Sequence, residues 1–513
     1  MDGIIFPPMR VAARLALFVL ITRLPALLHP RAIDDEQVYS VVATELLHGG
    51  KPYLAAVERK PPLLFYLYEG LFRLGGAYNF LALHLAAVAW TLATMALLYI
   101  IARRLFDPAT GVAAAFLYGL FQAWGDYRNL ALNGELLMNL PVVAAYAITL
   151  GPSRSRLRPE LAIAGALVAV AFFLKQPSGI AALPLGLYLL LPSYRDSRAL
   201  TWWHSVVQAV LLTLGFALGF IAMGIHLARE GILHEALYWT VLSQEAAFGV
   251  TSWVYWDRAL SDTAFFAVST LPLLLLAGRS LAERDRWAAQ SPELAALIMF
   301  LMVSVVGVGA NGQFLYHYYL QLLPALALLA APVLTEVWRE TRSMHSGVFT
   351  RRVYIPWLAA SAVIFLAVGS VGLWRNREST EAGLYLREHS LPDERIFVWG
   401  QGDRLTGIYL DARRRPASRY IASFPLTGHI FGSPVSWDPA YDTSDRIVPG
   451  AWDNLRQDFE AHPPRYIIDT DAVRRVPVYR IEKYPFLRDY LAEGYREVHR
   501  TAEGIIYERT AGT

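Results

Sequence analysis

Cysteine is absent from all 513 residues. Its absence excludes disulfides, thiolate metal sites and a cysteine nucleophile. An oxidising exterior would pose this chain no redox problem. Charge is also scarce: 17% of residues are Asp, Glu, Lys or Arg, against about 25% in an average soluble domain. The formal net charge is only +3, a balance that argues against a nucleic-acid partner. The shortage is uneven. Residues 1–375 alternate long apolar runs with short polar loops, and residues 376–513 read as an ordinary soluble protein.

What takes the place of charge is apolar length. A membrane-spanning helix needs about 20 mostly apolar residues. Eleven candidates are present: 10–28, 79–102, 110–126, 134–151, 160–174, 178–193, 201–227, 262–278, 293–310, 320–338 and 353–374. A further stretch, 62–74, is short and interrupted by Arg73 and Gly75-Gly76, and reads as re-entrant or interfacial. The first run follows Arg10 and lacks a small-residue cleavage site, since Leu27-Leu28-His29-Pro30 is a poor one. It reads as an uncleaved helix rather than a signal peptide. Arginines gather in alternate loops, at 103–104, 154–158, 195–198, 279–286 and 339–352, on the side of Arg10 and Arg14. The positive-inside rule makes that side the cytoplasm. Eleven spans then leave residues 376–513 outside.

The outer loops differ in kind. The first, 29–77, is long and mixed in charge. Another, 228–261, holds Trp239, Trp253, Tyr255 and Trp256, a density suited to a helix in the membrane interface. Long loops between spans are usually functional, which points to chemistry on the outer face. In the tail, 383–390 and 485–493 read as helices. Arg395–Trp399, Ile408–Leu410, Tyr420–Ala422, Tyr466–Asp469 and Gly504–Tyr507 read as strands, giving a small α/β domain. Gly400-Gln-Gly402 lacks the glycine spacing of a phosphate loop and reads as a turn.

The segment richest in chemistry is the first outer loop. Asp34, Asp35 and Glu36 follow the first span and open an amphipathic helix to Leu47. By itself this is a solvated helix start, where acids favour the N-terminal dipole. Lys60-Pro61-Pro62-Leu63 comes some twenty residues later. Glu135 opens the fourth span among apolar neighbours, where a carboxylate without a partner is expensive. Asp126 and Arg128 can simply pair with each other. Lys175 ends an apolar run, and charge at membrane depth is commonly functional, although a lysine there can also snorkel to the interface. Arg258 reads equally as an interfacial anchor and His317 as a hydrogen-bonded structural histidine.

Asp35-Glu36-x-x-Tyr39 followed by Lys60-Pro-Pro-Leu63 resembles the membrane glycosyltransferases of type C. The similarity is to the branch of protein O-mannosyltransferases and lipid A aminoarabinose transferases. Gly134-Glu135-Leu136 and Tyr316-His317-Tyr318-Tyr319, with Pro324 after them, agree with the same family. The resemblance covers about residues 10–340 and leaves the tail aside. Arg59 departs from it, where some relatives carry an acid.

The resemblance implies a polytopic α-helical GT-C fold with about eleven transmembrane helices and a C-terminal soluble α/β domain. The division expected is 1–375 as the catalytic membrane domain, with outer loop 29–77 and interfacial loop 228–261, and 376–513 as an extracytoplasmic domain. It implies an inverting transfer from a polyprenyl-phosphate-linked sugar, hexose or pentose, to a lipid, glycan or protein acceptor. The place implied is the outer face of a bacterial inner membrane. Asp35 suits the general base, because an attacking hydroxyl must lose a proton, and Glu36 shapes the site. The phosphate leaving group needs positive charge, for which Lys60, Lys175, Arg258 and His317 are the candidates. Tyr39, Glu135 and Tyr318 are expected on the acceptor side or in support. No metal motif or certain cofactor is present, although oxygen ligands from Asp35 and Glu135 would suit a hard divalent cation. Two other readings compete: a lipid-linked oligosaccharide ligase or polymerase, which would not be expected to carry this motif pair, and a polyprenyl-lipid flippase or transporter, which would normally show internal repeats.

Overall fold

The computed structural model describes residues 7–31, 33–151, 158–198, 200–243, 253–310, 312–342, 379–400, 405–429 and 442–510, with scattered helical positions between 356 and 374. The expected span 353–374 lies largely outside them, as do Arg154, Arg156, Arg351, Arg352 and Gly402. Contacts gather the chain into two units. The first comprises Met1–Pro30, Leu83–His226 and Arg258–Arg375; the second comprises Arg31–Ala82, Leu227–Asp257 and Asn376–Thr513. The segment Arg31–Ala82 therefore packs with the tail.

The early helices run α1 (Met9–Leu28), α2 (Asp34–Leu47), α3 (Pro62–Gly75), α4 (Phe80–Leu105), α5 (Pro108–Gln122), α6 (Gly134–Thr149) and α7 (Glu160–Leu174). In the first unit α1, α4, Trp202–Glu230, Asp285–Gly309 and Tyr316–Glu340 are long and apolar enough to cross a membrane. The chain is an integral multi-pass membrane protein. Helices α6 and α7 are apolar but shorter. The expected span 262–278 is not one straight helix. It breaks at Thr270, between Trp253–Ser269 and Leu271–Ala282, with a bend of 78°. Pro272 in the first turn of the second piece explains the break, because proline starts a helix well but cannot continue one. The arginine-rich loops also close helix ends. Arg158 donates to the carbonyls of Thr149 (3.0 Å) and Ile148 (2.5 Å) at the end of α6, which satisfies carbonyls that the helix leaves without a partner.

The second unit is built on a five-stranded sheet ordered β2-β1-β3-β5-β4. The strands are β1 (Arg395–Trp399), β2 (Arg415–Pro416), β3 (Tyr466–Asp469), β4 (Tyr495–Arg500) and β5 (Ile505–Arg509). β1 runs parallel to β2 and β3, with Ile396 opposite Tyr466 and Trp399 opposite Asp469. β5 returns antiparallel between β3 and β4. β3 is buried at every residue and β1 from its second residue on, as expected where helices cover both faces of a parallel pair.

Two strand expectations fail here. Ile408–Leu410 lies within a helix, Leu405–Ala412, buried along its whole length. The parallel pair β1/β2 needs a crossover connection, commonly a helix, and this run supplies it. Tyr420–Ala422 forms no strand; β2 ends at Pro416. Helix Ala451–Ala461 and strand β4 were not anticipated. Gly400 follows β1 at φ 129°, and a side chain there would run into the Thr470 hydroxyl.

At the end of β3, burial pushes the Asp469 carboxyl from 3.8 up to about 7, even though backbone N–H groups of Asp471 and Ala472 donate to it at 3.0 and 3.1 Å. Its folded value lies above its free value. Its contribution to stability is therefore complete below about pH 4 and lost as pH rises through about 7. The tail should become less resistant to protease as pH rises from about 4 to about 7, the interval between the carboxyl's free and folded values. Asp469→Asn should flatten that dependence, and an unchanged slope would remove Asp469 as its source.

Candidate functional site

In the second unit the acidic motif opens α2. The chain enters from Ile33 in an extended conformation, so Asp35 and Glu36 fall in the first helical turn, where the helix dipole favours a negative charge. Glu36 is fully buried and Asp35 half-buried. Tyr39, one turn on, is 2% exposed and meets the edge of Tyr68 with ring centroids 5.5 Å apart. It also meets Phe65 at 6.4 Å. Burial, then the charges of Glu36 and Asp35, hold the Tyr68 phenol well above its ordinary value. Tyr68 therefore stays a neutral hydroxyl close to both acids. Sequence reasoning missed it, although Phe65, Tyr68 and Phe72 repeat at helical spacing and share the buried side of α3.

Lys60 lies just ahead of α3. Pro61 is the extended residue before the helix and Pro62 is its first residue, a position proline suits because its fixed φ is already helical. The prolines stop the chain from helixing through Lys60 and leave that residue, half-buried, at the positive end of α3. The Lys60 carbonyl accepts from the Tyr53 hydroxyl at 2.8 Å, which fixes the backbone while leaving the ammonium to other partners. Arg59 places its guanidinium 4.4 Å from the Phe424 ring centroid.

The first unit holds the rest of the set. Asn133 caps α6 by accepting from Leu136 N at 2.9 Å. Glu135 in the first turn pairs with Lys175 at the end of α7, 2.6 Å apart, with both side chains almost fully buried. The expected cost of an isolated carboxylate is thus answered by a counter-charge. Gly134 permits the approach: a Cβ there would stand 3.0 Å from the Lys175 side chain and from the Leu174 carbonyl. Lys175 Nζ also lies 4.4 Å from the centre of the Tyr318 ring, and His317 crosses Tyr318 edge-on at 4.8 Å. Glu135, Lys175, His317 and Tyr318 form one buried cluster. Arg258 lies on helix Trp253–Ser269 and acts on Asp262 one turn further along. Asp126 and Arg128 pair at 3.5 Å. Among the described residues no group of three or more His, Cys, Asp or Glu could hold a metal ion.

Breaking a buried ion pair from one side costs ~3–5 kcal/mol, because the remaining charge is stranded. Lys175→Met should destabilise the protein in detergent by a free energy of that order, seen as a lower thermal midpoint, and Glu135→Gln should do likewise. The double variant should cost less than the sum. Strict additivity would mean that the two groups do not stabilise each other.

A family model described as dolichyl-phosphate-mannose-protein mannosyltransferase matches residues 59–222. An undecaprenyl phosphate-alpha-4-amino-4-deoxy-L-arabinose arabinosyl transferase of Pseudomonas paraeruginosa is 27% identical over 346 residues, 64% of this chain and 60% of that protein. Its counterpart in Pseudomonas savastanoi is 26% identical over 349 residues, 64% of this chain and 62% of that protein. The chain thus spans about three fifths of the length of these relatives. ArnT from Cupriavidus metallidurans, solved bound to undecaprenyl phosphate, superposes with a TM-score of 0.62 at 15% identity, over 98% of both chains. The Archaeoglobus fulgidus oligosaccharyltransferase tethered to an acceptor peptide gives 0.54 at 14% identity, over 98% of this chain and 74% of that one. The fold is that of the type C membrane glycosyltransferases, and the three comparisons together support the branch that holds the aminoarabinose and protein mannosyl transferases.

Proposed function

We propose that the chain is an inverting glycosyltransferase that moves one sugar from a polyprenyl-phosphate carrier to an acceptor hydroxyl at the outer face of a bacterial inner membrane. The observation that carries this reading is that α2, opening on Asp35-Glu36, and α3, opening behind Lys60, belong to one packed unit in which Tyr39 of α2 meets Tyr68 of α3. A base and a cation for the leaving phosphate are the two groups the reaction requires.

In this reading Asp35 takes the proton from the acceptor hydroxyl as its oxygen attacks the anomeric carbon. The bond to the carrier phosphate breaks on the opposite side and the configuration inverts. The carrier leaves as a phosphate, already a stable anion, so no general acid is obligatory. Lys60 neutralises the charge that develops on it. Glu36 and the Tyr68 hydroxyl orient the Asp35 carboxylate. In the first unit, the cluster of Glu135, Lys175, His317 and Tyr318 is read as a preorganised polar site for substrate groups, and Arg258 as a further cation. No step is routed through a divalent cation. Undecaprenyl phosphate-linked 4-amino-4-deoxy-L-arabinose is the first donor to try, since the curated relatives carry that sugar in their names; a hexose is the second.

A positioned base contributes roughly 10²–10⁴-fold to rate. Asp35→Asn keeps the shape and removes the proton acceptor, so turnover should fall by about that factor while undecaprenyl phosphate still binds. Asp34→Asn should cost far less. Near-normal turnover in Asp35→Asn would end its role as the base.

Lys60→Ala removes a charged hydrogen bond of ~1.5–3 kcal/mol. Undecaprenyl phosphate should bind about tenfold more weakly or worse, one decade being about 1.4 kcal/mol. An unchanged Kd would exclude Lys60 from the phosphate site.

A further inference from the structure

The helix that carries Asp35 is gripped from its other side. An α-helix turns about 100° per residue, so Gln37, Val41 and Glu45 line one face of α2, and Asp35 and Tyr39 lie roughly opposite. The Tyr39 face packs on α3. The Gln37–Glu45 face packs on the C-terminal fold. Glu45 is 1% exposed and accepts two parallel hydrogen bonds from Arg415 of β2, at 2.9 Å from Nε and 2.7 Å from Nη2. Arg395 of β1 stands 3.9 Å away.

At the other end, Arg31 forms an ion pair with Asp411, whose side chain is 2% exposed. The second oxygen of Asp411 accepts from the Thr380 amide at 2.9 Å and the Thr380 hydroxyl at 3.0 Å. Gln37 donates to the Arg31 carbonyl at 2.7 Å. Helix Leu405–Ala412 comes so close that a Cβ on Gly407 would stand 2.8 Å from Gln37 Oε1. The two ionic ties are separated by the length of the helix. Gln37 and Glu45 alone are about 12 Å apart along the axis.

A buried ion pair adds little net stability over an apolar contact of the same size. What the forked arginine–carboxylate pair adds is direction, because its two bonds fix orientation as well as distance. We propose that the C-terminal α/β fold is a positioning device for the catalytic helix: Arg415–Glu45 and Asp411–Arg31 set the axial place and rotation of α2, and with them the aim of the Asp35 carboxylate. Glu45 and Asp411 are positioning residues, acting through α2. The inference rests on the assignment of Asp35 as the base, and it gives the tail a role in the reaction.

The test uses the full chain in nanodiscs. Glu45→Gln with Arg415→Gln removes both charges of one tie and strands neither; Asp411→Asn loosens the other end and serves as an independent variant. Hydrogen exchange needs no substrate. Amides of α2 should exchange at least tenfold faster, while those of β1 and β3 keep their wild-type rates. With undecaprenyl phosphate-linked aminoarabinose as donor, kcat should fall tenfold or more, since about 1 Å of misplacement can cost about 10²-fold. The Kd for undecaprenyl phosphate should not change. Wild-type exchange in α2, loosening of β1 and β3 along with it, or an unchanged kcat with a loosened α2 would each overturn the proposal. Asp35→Asn measured in parallel separates the two ideas: full activity there removes the base, while the exchange data still decide whether the tail holds α2.

Discussion

A carboxylate taken out of water must be given its counter-charge, and Glu45 meets that demand with Arg415. The same constraint recurs at several other buried charges among the described residues. Glu135 has Lys175. Glu293 has Arg198 at 2.7 Å and the Tyr188 hydroxyl at 2.9 Å. Arg158 has the carbonyls that end α6. In a chain so poor in charge, such paired ions tie one element to another, as α6 to α7 through Glu135 and Lys175. An exposed pair would contribute little. These pairs matter because removing one partner leaves the other stranded.

Helix α2 shows how one short element serves two masters. Its residues have to satisfy an acidic start, an aromatic contact with α3 and a polar contact with the C-terminal fold. Helical periodicity keeps these demands apart, since Asp35 and Tyr39 share one side and Gln37 and Glu45 the other. Side chains on one face can then be held by buried partners while the half-buried Asp35 carboxylate keeps the other. In the first unit Gly134 plays a comparable part by absence: having no side chain, it lets Lys175 reach Glu135.

Much of this was legible beforehand. The helix from Asp34 to Leu47, the first strand of the tail, the strand at Tyr466–Asp469 and the helix at Pro485 follow from local pattern and appear as expected. Glu135, His317 and Tyr318, singled out through the resemblance, and Lys175, singled out as a charge at membrane depth, come together in one cluster. What was not legible depended on distant partners. Ile408–Leu410 has strand-like residues but must be a helix to connect two parallel strands. The run 262–278 is mostly apolar, yet Pro272 bends it into two pieces. Tyr68 carries no motif, and its place beside the two acids follows from how α2 packs on α3.

By itself the sequence determined the membrane character of the chain, the α/β character of its tail and the positions of its acidic and basic motifs. These depend on local composition and spacing, which every window of the chain reports. Only the tertiary structure decided which charges pair, that the segment from Arg31 onward packs with the tail, and that Glu45 answers Arg415 across 370 positions of chain. Pairing over such a separation leaves no periodic trace. It is selected by burial, which exists only once the elements have packed.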